Sequence, residues 1–388
     1  MIRDQNILCL STIRWNFLWQ RHQIFMSMLA ANGNKIYFVE TLNPTLPLSF
    51  SSIPKILRWL ARLLSQKLRS GPNTKPAQVT VVMALVVPGK GRMSQAINRM
   101  IFLPLFMAAL TLKGITKPVI WTYLPTASAL FLIRALKPSL VIYDCVFDVA
   151  LHPDYPRNSA QAEETIIRRA DIIFTDNHYL YNRIASRNKN VHLIPAGVDF
   201  THFAPQKQPE PPELAMIPKP RICFFGGIDG TRVDLKLIAS IAHAQRQWTF
   251  VLLGPVLVTD TSLPKAPNIF WGGVIAHTRL PAYLQAMDVL LLPYKIIPFS
   301  KSIFPAKLFE CLACGKPIVA TPLDEITRMP QGLFEIGRTH EEFVQAIGRS
   351  LSSDTEEKKA RRIAHAQENS WQTRFAKISG IINRYSTP

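Results

Sequence analysis

The chain has 388 residues, 48% of them hydrophobic, and carries 45 Lys and Arg against 26 Asp and Glu, a formal charge of +19. That length and apolar content exclude a disordered protein and suffice for two ordinary domains with separate cores. The excess positive charge predicts attraction to anions, and the absence of an RNA-recognition signature, zinc-finger spacing or a compact Lys/Arg block places nucleic acid last among them.

Met1-Ile-Arg-Asp-Gln-Asn opens the chain without an extended apolar signal region, so no secretion is expected. The five cysteines, Cys9, Cys145, Cys223, Cys311 and Cys314, are odd in number and lie mostly in apolar strand-like runs, which points to reduced thiols in a cytoplasm. Cys311 and Cys314 form a C-x-x-C inside a predicted helix with no second pair, so packing is expected there and no metal site.

Short apolar strands alternate with helical stretches along the whole chain, the pattern of a doubly wound α/β protein with parallel sheets. The first strands are expected at Ile7 to Leu10, Lys35 to Val39, Val79 to Leu85, Val119 to Thr122, Leu140 to Tyr143, Ile172 to Thr175 and Val191 to Ile194. Between them, Ile53 to Arg69 sets Ile53, Ile56, Leu57, Leu60, Leu63 and Leu64 on one helical stripe, with five Lys and Arg largely off it. That fits an interfacial helix on an anionic leaflet or a helix facing the core. Met100 to Leu112 is apolar but short of the roughly 20 residues that span a bilayer, and it contains Pro104; it reads as a buried or membrane-leaning helix. Asp144 is expected just past a strand, with Asp148 and His152 at four-residue intervals, where a carboxylate can orient an acceptor hydroxyl or cap a helix.

Residues 204–220 are rich in proline and polar residues, the composition of a linker, and divide the chain into domains 1–203 and 221–370. A second set of strands follows at Ile222 to Phe225, Thr249 to Leu253, Ile269 to Trp271, Val289 to Leu292 and Ile318 to Ala320, with helices at Asp234 to Arg246, Pro281 to Ala286 and Lys307 to Ala313. Two such Rossmann-like domains leave a central cleft at the carboxyl ends of their strands. Gly226 and Gly227 begin a turn whose backbone N–H groups can approach phosphate, and Arg232 suits either neutralising that anion or pairing with Asp234. Lys307 and Glu310, three apart, share one face of a short helix that ends at Gly315. They fit an ion pair, or a diphosphate and the two hydroxyls of a ribose. Thr321-Pro-Leu-Asp-Glu325 follows the last strand and offers N–H groups to the same ligand, or a solvated loop.

Phe304 to Thr321 resembles the signature region of retaining glycosyltransferases of family 4, which have the GT-B fold: two Rossmann-like doubly wound parallel-sheet domains facing a central cleft. Val191 to Phe203, with Pro195-Ala-Gly-Val-Asp199, resembles the family's Pro-Asn-Gly-Val-Asp, and Trp15 to Glu40 resembles the start of members that build bacterial surface polysaccharides. The resemblance implies that Glu310 binds the donor ribose, that Lys307, Arg232 and the Gly226-Gly227 turn meet the diphosphate, and that the backbone at Val274 meets the nucleobase. It further implies Asp144 at the acceptor site, a last helix at 371–386 that packs back on the first domain, and no metal or cofactor beyond the donor. Ser302 stands where the family's first glutamate is usual, and Ala196 where its Asn is. The implied partners are a nucleotide sugar and a saccharide or lipid-linked acceptor, with an anionic membrane surface. The implied place is cytoplasmic, peripheral on the inner face of the plasma membrane.

Overall fold

The computed structural model describes residues 2–16, 19–40, 75–84, 86, 92–152, 155, 159–258 and 263–385. The helix expected from Ile53 to Arg69 lies outside them. The chain forms two compact units, Met1–Ile194 with Phe375–Pro388, and Pro195–Arg374.

The first unit holds a seven-stranded sheet in the order β3-β2-β1-β4-β5-β6-β7. Its strands are β1 (Asn6–Leu10), β2 (Lys35–Glu40), β3 (Val79–Met83), β4 (Val119–Thr122), β5 (Leu140–Cys145), β6 (Ile172–Thr175) and β7 (Val191–Leu193). Every pairing is parallel. Strands buried on both faces read as unbroken apolar runs, and β4 and β6 are buried along their whole length. The second unit repeats the scheme with β8 (Arg221–Phe225), β9 (Thr249–Leu253), β10 (Ile269–Gly273), β11 (Val289–Leu292), β12 (Ile318–Ala320) and β13 (Glu335–Ile336). Their order is β10-β9-β8-β11-β12-β13, again parallel throughout. In each sheet the order reverses beside the first strand, the switch point where ligands of open α/β sheets bind.

The division falls at Ile194, earlier than the domain boundary expected at 203, and residues 204–220 are part of the second unit's body. Arg221 is the cause. Its buried guanidinium donates to the Leu214 and Ile217 carbonyls and pairs with Glu210 at 2.9 Å, folding the proline-rich stretch onto the start of β8. The last helix, Trp371–Asn383, begins in the second unit, where the Trp371 N–H donates to the Val198 carbonyl, and continues from Phe375 as part of the first.

One helix exceeds its expected length. It runs without a break as Arg92–Ile97, a π turn Asn98–Phe102, and Leu103–Leu112, so that the 20 residues Met93–Leu112 are long and apolar enough as a helix to cross a membrane. The extra length comes from polar Ser94, Gln95 and Asn98, of which Ser94 and Asn98 are buried.

Candidate functional site

The site is built at the switch point of the second sheet. Strand β8 ends at Phe225, and Gly226 follows with φ +113°, in the left-handed region that a side chain disfavours. A Cβ on Gly226 would lie 1.9 Å from Cε of Lys307, so glycine is required for the lysine to cross the backbone here. Gly254, after β9, carries the same demand: its Cβ would stand 2.0 Å from the Gly226 carbonyl oxygen. The three neighbouring strand ends are laced together, the Gly226 N–H donating to the Leu253 carbonyl and the Gly254 N–H to that of Gly273, both at 2.7 Å.

Lys307 begins the helix Lys307–Ala313, whose inner face Leu308, Phe309, Cys311 and Leu312 is fully buried. That packing fixes the opposite edge, where Lys307 and Glu310 are half-buried. The ammonium lies 5.7 Å from the centre of the Phe224 ring. Among the described residues neither Lys307 nor Glu310 has a hydrogen-bond or salt-bridge partner, and they do not pair with each other. Burial, only partly offset by the charge of Lys307, raises the Glu310 carboxyl from its ordinary value to about 7. Two chemically demanding side chains are thus held on one edge without being satisfied by the fold. The helix closes at Gly315, φ +69°, and leads into β12.

The other expected site residues fall into different environments. The Gly226 N–H, taken by Leu253, is not open to phosphate; Gly227 donates no hydrogen bond among the described residues. Arg232, half exposed, pairs with Asp229 at 2.9 Å rather than with Asp234, which caps the helix Leu235–Ala244. Asp229 also accepts from the Thr231 and Arg232 N–H groups, so the pair shapes the turn. Val274 is 69% exposed beyond the end of β10. Thr321 does not present a free N–H: its amide and hydroxyl both donate to the Leu292 carbonyl, and the hydroxyl accepts from Tyr294 N–H. Glu325, far from being a solvated loop residue, is buried. Ser302 is fully buried, its hydroxyl donating to the Phe299 carbonyl at 2.8 Å.

Asp144 is the clearest correction. It lies within β5 rather than past it and is fully buried. Both its oxygens accept from Nε of Arg21 at 3.0 Å, and one from the Trp121 indole at 3.3 Å, while Arg21 donates onward to the Ile194 carbonyl at 2.7 Å. Asp148 is likewise committed, to Tyr179 and Arg183. Neither carboxylate is presented at an open rim.

Lys295 was not singled out by its sequence context. Its amine donates to the Gly230 carbonyl and its N–H to that of Arg232, fastening the turn after β8 to the chain leaving β11. The available signal was its place three residues beyond a strand at the switch point. Around Ala196, the Gly197 backbone passes so close to the chain at Ser370 and Trp371 that a Cβ would meet the Trp371 nitrogen at 2.9 Å.

Two Rossmann-ordered parallel sheets in separate units, with a Lys–Glu edge that is unpartnered among the described residues at the second switch point, define a GT-B protein. Residues 219–353 match the family "Glycosyl transferases group 1". TuaH of Bacillus subtilis, named as a teichuronic acid biosynthesis glycosyltransferase, is 33% identical over 61% of this chain and 65% of its own length. The D-inositol 3-phosphate glycosyltransferase of Jonesia denitrificans is 25% identical over 44% of this chain and 46% of its own. The chain thus spans less than two thirds of each of these relatives. Sucrose-phosphate synthase from Thermosynechococcus elongatus has a TM-score of 0.68 at 15% identity, covering 98% of both chains. Anabaena HepE in complex with UDP and glucose has 0.67 at 14%, over 98% of this chain and 100% of its own. Residues 219–353 thus resemble the group 1 glycosyltransferases, and the chain has the GT-B fold.

Proposed function

We propose that the protein transfers a sugar from a nucleoside diphosphate donor to a hydroxyl of a saccharide or lipid-linked acceptor in surface-polysaccharide or glycolipid synthesis, with retention at the anomeric carbon. The observation that carries this reading is the pair Lys307 and Glu310, held half-buried on one edge beside the Gly226 backbone and without hydrogen-bond or salt-bridge partners among the described residues. Loss of the nucleoside diphosphate concentrates negative charge on its phosphates, and an ammonium with no competing carboxylate stabilises it more than one already neutralised. The Gly227 N–H and Arg232, the latter shared with Asp229, add to that stabilisation. Glu310, once ionised, accepts from both ribose hydroxyls and takes no part as nucleophile. The family match to residues 219–353 and the name of TuaH support the donor class and the polysaccharide acceptor.

The test is thermal stabilisation of the purified protein by UDP, GDP, ADP, dTDP and their sugars, since a ligand that prefers the native state raises the melting point. UDP is tried first because HepE holds it. A shift with one nucleotide, lost in Glu310→Ala, is expected; a shift that persists in that variant would remove Glu310 from the site. A second reading, a nucleotide-sugar-binding protein without transferase activity, draws on Ser302, a buried and satisfied hydroxyl where the family usually has a glutamate. Stabilisation without turnover on any saccharide or lipid-linked acceptor would favour it.

A further inference from the structure

The helix of the first unit that ends at Leu112 presents water with a face it does not suit. Ser94, Asn98, Leu103, Phe106 and Leu110 are its buried residues, and the last three join the apolar core of the unit. The step from Asn98 to Leu103 matches the wider π turn Asn98–Phe102, which keeps this inner stripe continuous. The outer face carries Met93, Met100, Ile101, Leu105 and Leu112, from 51% to 89% exposed, with Pro104, Ala108 and Ala109 exposed among them. These are five of the twelve large apolar side chains exposed among the described residues. A helix packed on a soluble core ordinarily turns polar residues outward.

Charge identifies what covers this face. Arg99 is the one charged residue from Met93 to Leu112, and exposed Lys113 and Lys117 follow directly. More broadly, the sequence between Glu40 and Asp144 contains no acidic residue and 13 Lys and Arg. A second copy of the face would set like charges against each other across a two-fold interface, whereas anionic headgroups above acyl chains complement both the cations and the apolar side chains.

We propose that this face docks on an anionic lipid bilayer, the helix lying along the surface with Met100, Ile101, Leu105 and Leu112 entering the headgroup–acyl boundary and Arg99, Lys113 and Lys117 meeting lipid phosphates. Although the helix is long enough to cross a bilayer, Leu103, Phe106 and Leu110 hold it to the core of its unit, so it lies on the membrane rather than in it. The proposal is independent of the donor and of the transfer reaction.

The full chain is co-sedimented with vesicles of phosphatidylcholine alone and of phosphatidylcholine with phosphatidylglycerol, at low and high salt. The wild type is expected to bind the phosphatidylglycerol vesicles, less so at high salt, and to bind the neutral ones weakly. Met100→Glu with Leu105→Glu should weaken that binding by at least about tenfold, because two apolar contacts are replaced by charges repelled by the lipid. Met216→Glu, the same change at a side chain 92% exposed in the second unit, should bind like the wild type. Unchanged melting points of the variants would show that both remain folded, and stabilisation by nucleotide reads the donor site separately. No sedimentation of the wild type with phosphatidylglycerol vesicles, equal binding by the double variant, or equal loss in Met216→Glu would each overturn the proposal. So would a wild-type dimer that the double variant dissociates, since a second copy would then be the occupant.

Discussion

Asp144 and Glu310 present the same chemical group in opposite circumstances. Asp144, inside β5, is fully buried yet bonded on both oxygens by Arg21 and additionally by Trp121, a closed arrangement that leaves nothing for a ligand to satisfy. Glu310 is less buried but has no partner among the described residues, and its carboxyl stands at about 7. Burial with complete hydrogen bonding marks a structural charge, while burial without it marks a charge kept for something that arrives later. Lys307 belongs with Glu310 in this respect, and Arg21 with Asp144.

The widest separation between the two should come from removing each carboxylate. Asp144→Ala strands the buried Arg21 guanidinium, and breaking such a pair typically costs about 3–5 kcal/mol, so urea denaturation should show a loss of that order. A loss below about 1 kcal/mol, accompanied by abolished transfer, would restore Asp144 to the acceptor site and dissolve the contrast. Glu310→Ala removes an unsatisfied group, so its melting point should hold or rise. Its nucleotide affinity should fall by about tenfold to a hundredfold, the value of hydrogen bonds to a charged acceptor. Lys307→Ala is expected to lose nucleotide affinity in the same range through the diphosphate, with stability again maintained. Titration calorimetry beside thermal melting separates the two quantities in both variants.

Arg232 falls between the extremes, being paired with Asp229 but half exposed. An exposed pair contributes about 0–1 kcal/mol, so Arg232→Ala should change nucleotide affinity by less than about fivefold and stability hardly at all. A drop comparable to that of Lys307→Ala would show that the guanidinium leaves Asp229 for the diphosphate.

The same distinction explains what the sequence disclosed. Buried parallel strands read as mostly apolar runs, and β4, β6, β9, β11 and β12 have the bounds expected from the sequence. The Lys307–Glu310 edge was legible because helical spacing alone puts residues three apart on one face, and the glycines at 226 and 315 mark backbone conformations that other residues avoid. Long-range pairing was not legible. Arg21 and Asp144 are 123 positions apart, and nothing local to Asp144 announces that a guanidinium from a distant helix will bind this strand residue. Arg221 likewise turned a stretch with linker composition into folded structure through contacts with carbonyls whose sequence carries no sign of it. The hydrogen bonds that occupy Thr321 and the Gly226 N–H arise from neighbouring strands, so availability of those groups could not be read from their own segments.

A smaller effect tests the open carboxylate most directly. Because the fold raises Glu310 from 4.5 to about 7, the protonated form is favoured in the native state. Its contribution to stability is therefore full below the ordinary carboxylate value and lost as pH rises through about 7. Nucleotide binding has the opposite sign, because the ribose hydroxyls must donate to an ionised acceptor. Lowering the pH from 7.5 to 6.5 should reduce the ionised fraction, and with it the affinity, by about threefold. The donor's phosphates titrate nearby, so the quantity to compare is the ratio of wild-type to Glu310→Gln affinity at each pH, in which the ligand's own protonation cancels. A ratio that climbs through this window ties the ribose to the Glu310 carboxylate; a flat ratio would mean that Glu310 is as fully committed within the fold as Asp144.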